Sequence, residues 1–273
     1  MTVAVIWREN DHLWCAADSR LVIGDNDQTV TEMMSKIYSI PVTVHAQDEE
    51  GHLRVPHYWT QYGFVYAGSA TPASMTAITA ATLLQQLARQ GGRTNPPRFE
   101  EIAELVRKLA ARFITERRQF GGEGSFWSSF FGWCPHDEVW KVAYMSPQGD
   151  AGNFRVELQY PPVPDEDGAP WLTLGTGKPA FEEAYATHSA NCASDSRHVP
   201  RLVIEKMIDE RLDETVGGSV SVGVAHRKGF KLFHSEIIDP WDSSKRRRIF
   251  NGLDLDRDVG DVFPYHVATY PLP

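Results

Sequence analysis

The amino-acid order predicts an α+β protein, with antiparallel sheets carrying pairs of helices on their outer faces. Three observations predict it. Short apolar runs of strand type come in groups. Two pairs of segments with helical periodicity separate those groups. Strand and helix never alternate one by one, as a parallel βαβ sheet requires.

The elements follow in chain order. Val3 to Trp7 is an apolar run, read as a strand buried on both faces. Glu9, Asn10 and Asp11 break it, and Leu13 to Ala17 returns as the second arm of a hairpin. Asp18-Ser19-Arg20 ends that arm with turn formers. Lys36 to Ile40 is a short strand, His45 to His57 a polar loop or solvent-edge hairpin, and Gly63 to Ala67 a buried strand ending at Gly68-Ser69-Ala70. Pro72 to Gln90 is Ala- and Leu-rich and reads as a helix stopped by Gly91-Gly92. Phe99 to Phe120 reads as a second helix, with Ile102, Val106, Leu109 and Phe113 on one face. Its first-turn Glu100 and Glu101, and Arg117 and Arg118 near its end, suit the helix dipole. Strands are expected at Ser125 to Cys134, Glu138 to Met145 and Asn153 to Tyr160, then a loop to Pro170 and a run from Trp171 to Leu174. Helices fit Pro179 to Ala190 and Pro200 to Asp213, the latter with Ile204, Ile208 and Leu212 on one face. After Gly217-Gly218 come strands at Ser219 to Ala225 and Phe230 to His234. The segment after Asp239 is polar. No internal repeat is visible.

At 273 residues the chain suits one or two domains and can bury a core without disulfides or a metal. Residues 1–239 read as one domain and 240–273 as a C-terminal extension. Apolar residues make up 42% and charged residues 23%, the balance of an ordinary globular chain. Lys+Arg 27 against Asp+Glu 36 leaves a net charge of -9. That excludes nucleic-acid binding by bulk charge. No run approaches the ~20 apolar residues of a membrane span, and Met1 to Arg8 lacks the pattern of a signal peptide. Cysteines at 15, 134 and 192, with no Cys-x-x-Cys, fit a reducing compartment and no zinc ribbon. A cytoplasmic location is expected.

Thr2 is the first residue with reactive chemistry. Methionine is trimmed when a small residue follows, which would make Thr2 the first residue. A terminal threonine carries a hydroxyl nucleophile and an α-amine, of pKa about 8, able to act as its base. The bland reading is that threonine is simply common after the initiator.

The surroundings sharpen the point. Ala16-Ala-Asp-Ser-Arg20 follows the hairpin, Lys36 opens a Lys-Ile-Tyr-x-Ile strand, and Ala67-Gly-Ser-Ala70 precedes a long helix. Gly175-Thr-Gly-Lys-Pro-Ala180 precedes another, and Asp213 stands four residues before Gly217-Gly218. This set resembles the β-type proteasome subunits and their bacterial relatives, the HslV protease and the Anbu group, which are N-terminal nucleophile hydrolases. The resemblance spans most of residues 2–235, and the 16 positions from Thr2 to Asp18 match the family spacing.

The resemblance implies a four-layer αββα sandwich and a role for each residue. Thr2 would supply the attacking Oγ and its amine as base. Lys36 would act as a neighbouring ammonium, lowering the pKa of the nucleophilic centre. Asp18 would hold Lys36. The Gly68 N–H would stabilise the oxyanion, and Thr176 and Asp213 would orient the amine. Peptide-bond hydrolysis through an acyl-threonine is implied, with no cofactor and no metal. So is self-association into a ring or spiral. Any ATP-dependent unfoldase would be a separate protein, since no ATP-binding motif is present.

Three departures stand out. Lys36 lies 34 positions after Thr2, two more than in the family. Val216 replaces the family's serine after the second aspartate, and Thr176 replaces another serine while keeping the hydroxyl. Two other readings stay open: a small-molecule amidase on the same fold, and a catalytically silent scaffold. Taken singly, Asp18 could be a turn residue, Lys36 a solvated charge and Gly68 a helix-entry glycine.

Weaker candidates complete the survey. Cys134-Pro-His136 and the group His188, Cys192, His198 have loose metal-ligand spacing but read as buried thiols and surface histidines. Asp254, Asp256 and Asp258 resemble a calcium loop, but Gly260 is misplaced and the closing glutamate is missing. Lys245 to Arg248 reads as a solvated face. Phe126, Trp127, Phe130, Phe131 and Trp133 read as core, or as lining for a subunit interface.

Overall fold

A computed structural model describes residues 2–23, 28–47, 50, 52–88, 96–122, 124–149, 153–165, 168–191, 198–239, 242–260 and 270–271. The chain starts with the hairpin of β1 (Ala4–Glu9) and β2 (His12–Asp18). Asn10 and Asp11, with φ of 51° and 55°, turn it, the left-handed pair that short polar residues tolerate in two-residue hairpins. A small hairpin follows, β3 (Leu21–Ile23) and β4 (Gln28–Thr31). Then come β5 (Ile37–Gln47), β6 (Leu53–Gly68), α1 (Ala70–Leu84), β7 (Leu87–Ala88) and α2 (Phe99–Gln119). Strands β8 (Phe126–Cys134), β9 (Val139–Gln148), β10 (Arg155–Gln159) and β11 (Pro170–Leu174) lead to α3 (Lys178–Asn191) and α4 (Val199–Asp209). The chain ends with β12 (Val220–His226), β13 (Gly229–Asp239), β14 (Asp242–Phe250), β15 (Leu253–Asp254), a single turn at Leu255–Val259 and β16 (Tyr270–Pro271).

Two sheets dominate. The first has the order β11-β1-β2-β12-β13-β14-β15, with β16 beside β13; the second runs β10-β9-β8-β6-β5-β7. Pairing is antiparallel except at the short β7 and β16. Every side chain of β1 from Ala4 to Trp7 is buried because each face of that strand meets a different core. Val3, Val5 and Trp7 pack with Trp14, Phe181, Val203, Ile204 and Met207 from the α3 and α4 side. Ala4 and Ile6 alternate onto a core shared with Val65, Phe131 and Val142 of the second sheet. A third core joins Tyr62, Phe64 and Phe130 of that sheet to Phe99, Ile102 and Val106 of α2 and to Ala73, Ala77 and Ala80 of α1. The architecture is thus a sheet-rich mixture of helix and strand.

Several expectations change. α1 ends at Leu84, short of Gln90, because Leu87 and Ala88 leave the helix to pair with Val44 and His45 of β5. Of the two readings for the polar region from His45, the hairpin holds: it belongs to the long β5–β6 pair. Leu212 lies past the end of α4 and is exposed, so the buried face there is Val203, Ile204 and Met207. His198 is buried, not a surface histidine, and packs on Trp14. Trp127 is 40% exposed, whereas Phe126, Phe130 and Phe131 are core. Residues after 239 add β14 to the edge of β13, where Arg246 pairs with Glu236.

Candidate active site

Hairpin geometry sets the spacing between Thr2 and Asp18. The ladder runs from Glu9 opposite His12 to Ala4 opposite Ala17, so the next register step brings Val3 against Asp18. There the Asp18 N–H donates to Val3 O (3.3 Å), and the Val3 N–H donates to Asp18 Oδ1 (3.1 Å). The same Oδ1 accepts from Lys36 Nζ at 2.8 Å. Asp18 Oδ2 accepts the N–H groups of Arg20 and Gly217, each at 3.2 Å. Four donors therefore satisfy a fully buried carboxylate, which explains how it stays inside the protein.

Lys36 sits just before β5 and is almost fully buried. Burial pushes its ammonium below the ordinary lysine value, Asp18 and Glu32 push back, and Arg20 adds to the lowering. Arg20 is itself clasped by Glu32, with Nε 3.0 Å from Oε1, and its Nη1 donates to Glu214 O at 2.7 Å. Ser19 ties the same corner together. It accepts from the Ser219 N–H at 2.8 Å and donates to Glu32 O at 2.5 Å.

The segment after β11 folds over Thr2. Gly175 has φ +97°, and a Cβ there would fall 1.9 Å from the Thr2 carbonyl oxygen, so only glycine fits. The Gly177 N–H donates to that oxygen at 3.2 Å, and the Phe181 N–H donates to Gly177 O at 2.9 Å, starting α3. Thr176 is exposed between the two glycines. Across the cleft, Gly68 ends β6 with φ +114°; a Cβ would lie 2.8 Å from Ser125 O. The next N–H, that of Ser69, donates to Ser125 O at 2.9 Å.

Thr2, Gly68 and Thr176 line one open cleft of about 1570 Å³. Thr2 itself is buried at the cleft floor, 2% exposed. Asp18 and Lys36 stand behind it, joined to its strand through Val3. The hydrogen bonds of Asp213 run to Thr215: Oδ1 accepts the Thr215 N–H at 2.8 Å and its Oγ1–H at 2.5 Å. That turn presses Val216 against Gly177, where a Cβ would meet Val216 Cγ2 at 2.8 Å. The sequence placed Gly217-Gly218 as the pair after Asp213 but gave no sign that the Gly217 N–H holds Asp18. It gave no sign of the Arg20–Glu32 clasp either.

The other candidates do not assemble. Cys134 Sγ is 3.4 Å from Asp137 Oδ2, and His136 Nδ1 is 3.0 Å from Asp137 Oδ1. Among the described residues, no group of three His, Cys, Asp or Glu is placed to hold a metal ion. Cys192 lies outside the described residues. Asp254 and Asp258 serve backbone N–H groups, with Asp254 Oδ1 accepting from Asp256 and Arg257. None of the described helices is long and apolar enough to cross a membrane.

In fold, the chain is similar to solved structures of Anbu, a proteasome-like protein. Anbu (ancestral β-subunit) from Yersinia bercovieri superposes with a TM-score of 0.51 at 15% identity, over 90% of this chain and 86% of that one. Anbu from Hyphomicrobium sp. strain MC1 gives 0.49 at 17% identity, over 91% of this chain and 86% of that one. No family model and no curated protein matches the chain. The likeness to Anbu expected from the sequence is therefore present in the fold.

Proposed function

We propose that this chain is a threonine-type N-terminal nucleophile hydrolase that cleaves peptide bonds. The observation that carries the reading is the shared oxygen of Asp18, which takes both the Val3 N–H beside Thr2 and the Lys36 ammonium. Through that oxygen the buried Lys36 ammonium is tied to the strand end that carries Thr2, which supports its proposed part in activating the nucleophile. Removal of Met1 frees the Thr2 amine. The amine accepts the Oγ proton as Oγ adds to the substrate carbonyl, and the Gly68 N–H meets the oxyanion. The leaving amine departs with a proton, an acyl-threonine ester remains, and water hydrolyses it. Thr176 and Asp213 keep the proposed roles of orienting the amine, Asp213 through the turn that seats Val216 on Gly177.

The cleft size favours an extended substrate over a small amide. At about 1570 Å³ it exceeds the ~300–1,000 Å³ common for small-molecule pockets. The reading includes a four-layer αββα stacking, a hydrolase domain over residues 1–239 with an extension over 240–273, and a cytoplasmic setting. It also includes self-association into a ring or spiral, unfolded-protein substrates delivered by a separate ATP-dependent unfoldase, and no cofactor.

Intact mass before and after a threonine-directed epoxyketone tests it. Loss of one methionine and a one-to-one adduct, both seen in the parent and the adduct absent from Thr2→Ala, support the nucleophile. A retained Met1 with no adduct leaves the silent scaffold.

A further inference from the structure

The described lining of the cleft beside Thr2 has a charge opposite to that of the whole chain. Against a net charge of -9, that described lining carries Arg117, Arg118 and Lys178 and no aspartate or glutamate. Lys178 follows the glycine whose N–H bonds the Thr2 carbonyl. Arg117 and Arg118 come from the last turn of α2.

Arg118 is the unusual member. The other half-buried arginines among the described residues are each paired with a carboxylate. Arg8 meets Asp11, Arg20 meets Glu32, Arg107 meets Glu104, Arg201 meets Glu205 and Arg248 meets Asp256. The Arg118 guanidinium instead lies over the Phe154 ring, 4.2 Å from its centroid, and donates from Nη2 to Ser125 Oγ at 2.7 Å. Both partners are neutral. Ser125 also holds Ser69, the residue after Gly68, through its carbonyl. A planar fork is thus fixed in orientation on the wall that carries Gly68, with no carboxylate paired to it among the described residues. Partial burial of an unpaired charge is costly, and a guanidinium is matched best by a carboxylate. Lys178 has only a loose contact, 3.6 Å to Glu182 of its own helix, and Arg117 is exposed.

We propose that this cleft selects peptides that present a carboxylate beside the scissile bond, with Arg118 as the specificity-determining residue and Arg117 and Lys178 as its supporting charges. The identity of the cleaved bond rests on the proposed nucleophile; the carboxylate preference does not.

Binding therefore tests it in Thr2→Ala protein, which removes turnover. Three fluorescent pentapeptide amides differ only in Glu, Gln or Lys at one central position, and a fourth carries Gln with a free C-terminal carboxylate. The Glu peptide is expected to bind ~10-fold tighter than the Gln peptide at low salt, with the gap closing as salt rises. Arg118→Gln removes the gap. The double variant Arg117→Gln/Lys178→Gln, at two exposed positions, narrows it by ~3-fold and guards against a misfolded Arg118 variant. A gain confined to the free-terminus peptide assigns the carboxylate to a chain end and keeps the proposal. Equal binding of Glu and Gln amides and of the free-terminus peptide overturns it, as does a preference untouched by both sets of substitutions. Carboxylate preference without any epoxyketone adduct in the parent protein would sink the nucleophile and leave the cleft selectivity standing.

Discussion

The β1–β2 hairpin carries a buried carboxylate at each end, and the two have different surroundings. At the open end, Asp18 takes three backbone N–H groups and the Lys36 ammonium, directly behind the cleft floor. At the turn end, Glu9 accepts Trp7 Nε1 at 3.0 Å and the His198 N–H at 3.1 Å, with His198 Nδ1 3.1 Å away. Trp7, Trp14 and His198 wall it in. Burial and satisfied hydrogen bonds are common to both, so neither feature marks a site. The difference lies in what the neighbours touch. Asp18 ties Lys36 to Val3, the neighbour of cleft-lining Thr2; Glu9 fixes the entry to α4 against the first sheet.

Exchanging the charges should separate the two ends most strongly. Asp18→Asn leaves a buried ammonium without its partner, a change expected to cost ~3–5 kcal/mol and to slow epoxyketone adduct formation by ~10²-fold or more. Glu9→Gln keeps the shape and one acceptor; it should cost ~1–3 kcal/mol and leave the adduct rate within about 2-fold. Denaturant melts and intact-mass time courses read both. A Glu9→Gln protein that is fully stable yet unreactive would break the comparison.

pH should sharpen it. Lys36 holds its proton less tightly folded than unfolded, so between its lowered value and 10.5 the unfolded chain binds more protons. Stability therefore rises with pH across that window, by up to ~1.4 kcal/mol per pH unit. Adduct formation should fall in the same window as the ammonium is lost. Stability and reactivity then move in opposite directions, and Lys36→Met abolishes the rise in stability. The window is read below pH 10, because buried Tyr62 and Tyr66 have raised values. They lower stability once the unfolded tyrosines ionise. Parallel movement of the two curves would remove Lys36 from the proposed chemistry.

Legibility followed the same divide between core and edge. The β1 run and α2 were readable because burial imposes an apolar run on one and a period near 3.6 on the other. Thr2, Asp18 and Gly68 were singled out by the resemblance, and hairpin register and a tight glycine corner set where they lie. The β3–β4 hairpin was not seen, since Ile23 and Val30 are exposed and leave no alternation to read. β14 was hidden by Lys245 to Arg248, whose strand state depends on pairing with β13 and on ion pairs to Glu236 and Asp256. Gly217 as a donor to Asp18 bridges 199 positions. No local pattern encodes such a contact.

Val216 gives the smallest and most discriminating effect. Its side chain is buried against Gly177 and belongs to the core of Val3, Val5 and Phe181. Serine there removes two methyl groups and inserts a hydroxyl, expected to cost ~1–2 kcal/mol. The hydroxyl that the family would place at this position is already supplied to Asp213 by Thr215, one residue earlier. If that neighbour has taken over the task, Val216→Ser should leave the adduct rate within about 2-fold, and Thr215→Val should slow it by ~3–10-fold while costing ~1 kcal/mol. A clear acceleration in Val216→Ser, with Thr215→Val indifferent, would mean that the valine suppresses an otherwise complete site and that the open end of the hairpin, like the closed one, is held mainly for structure.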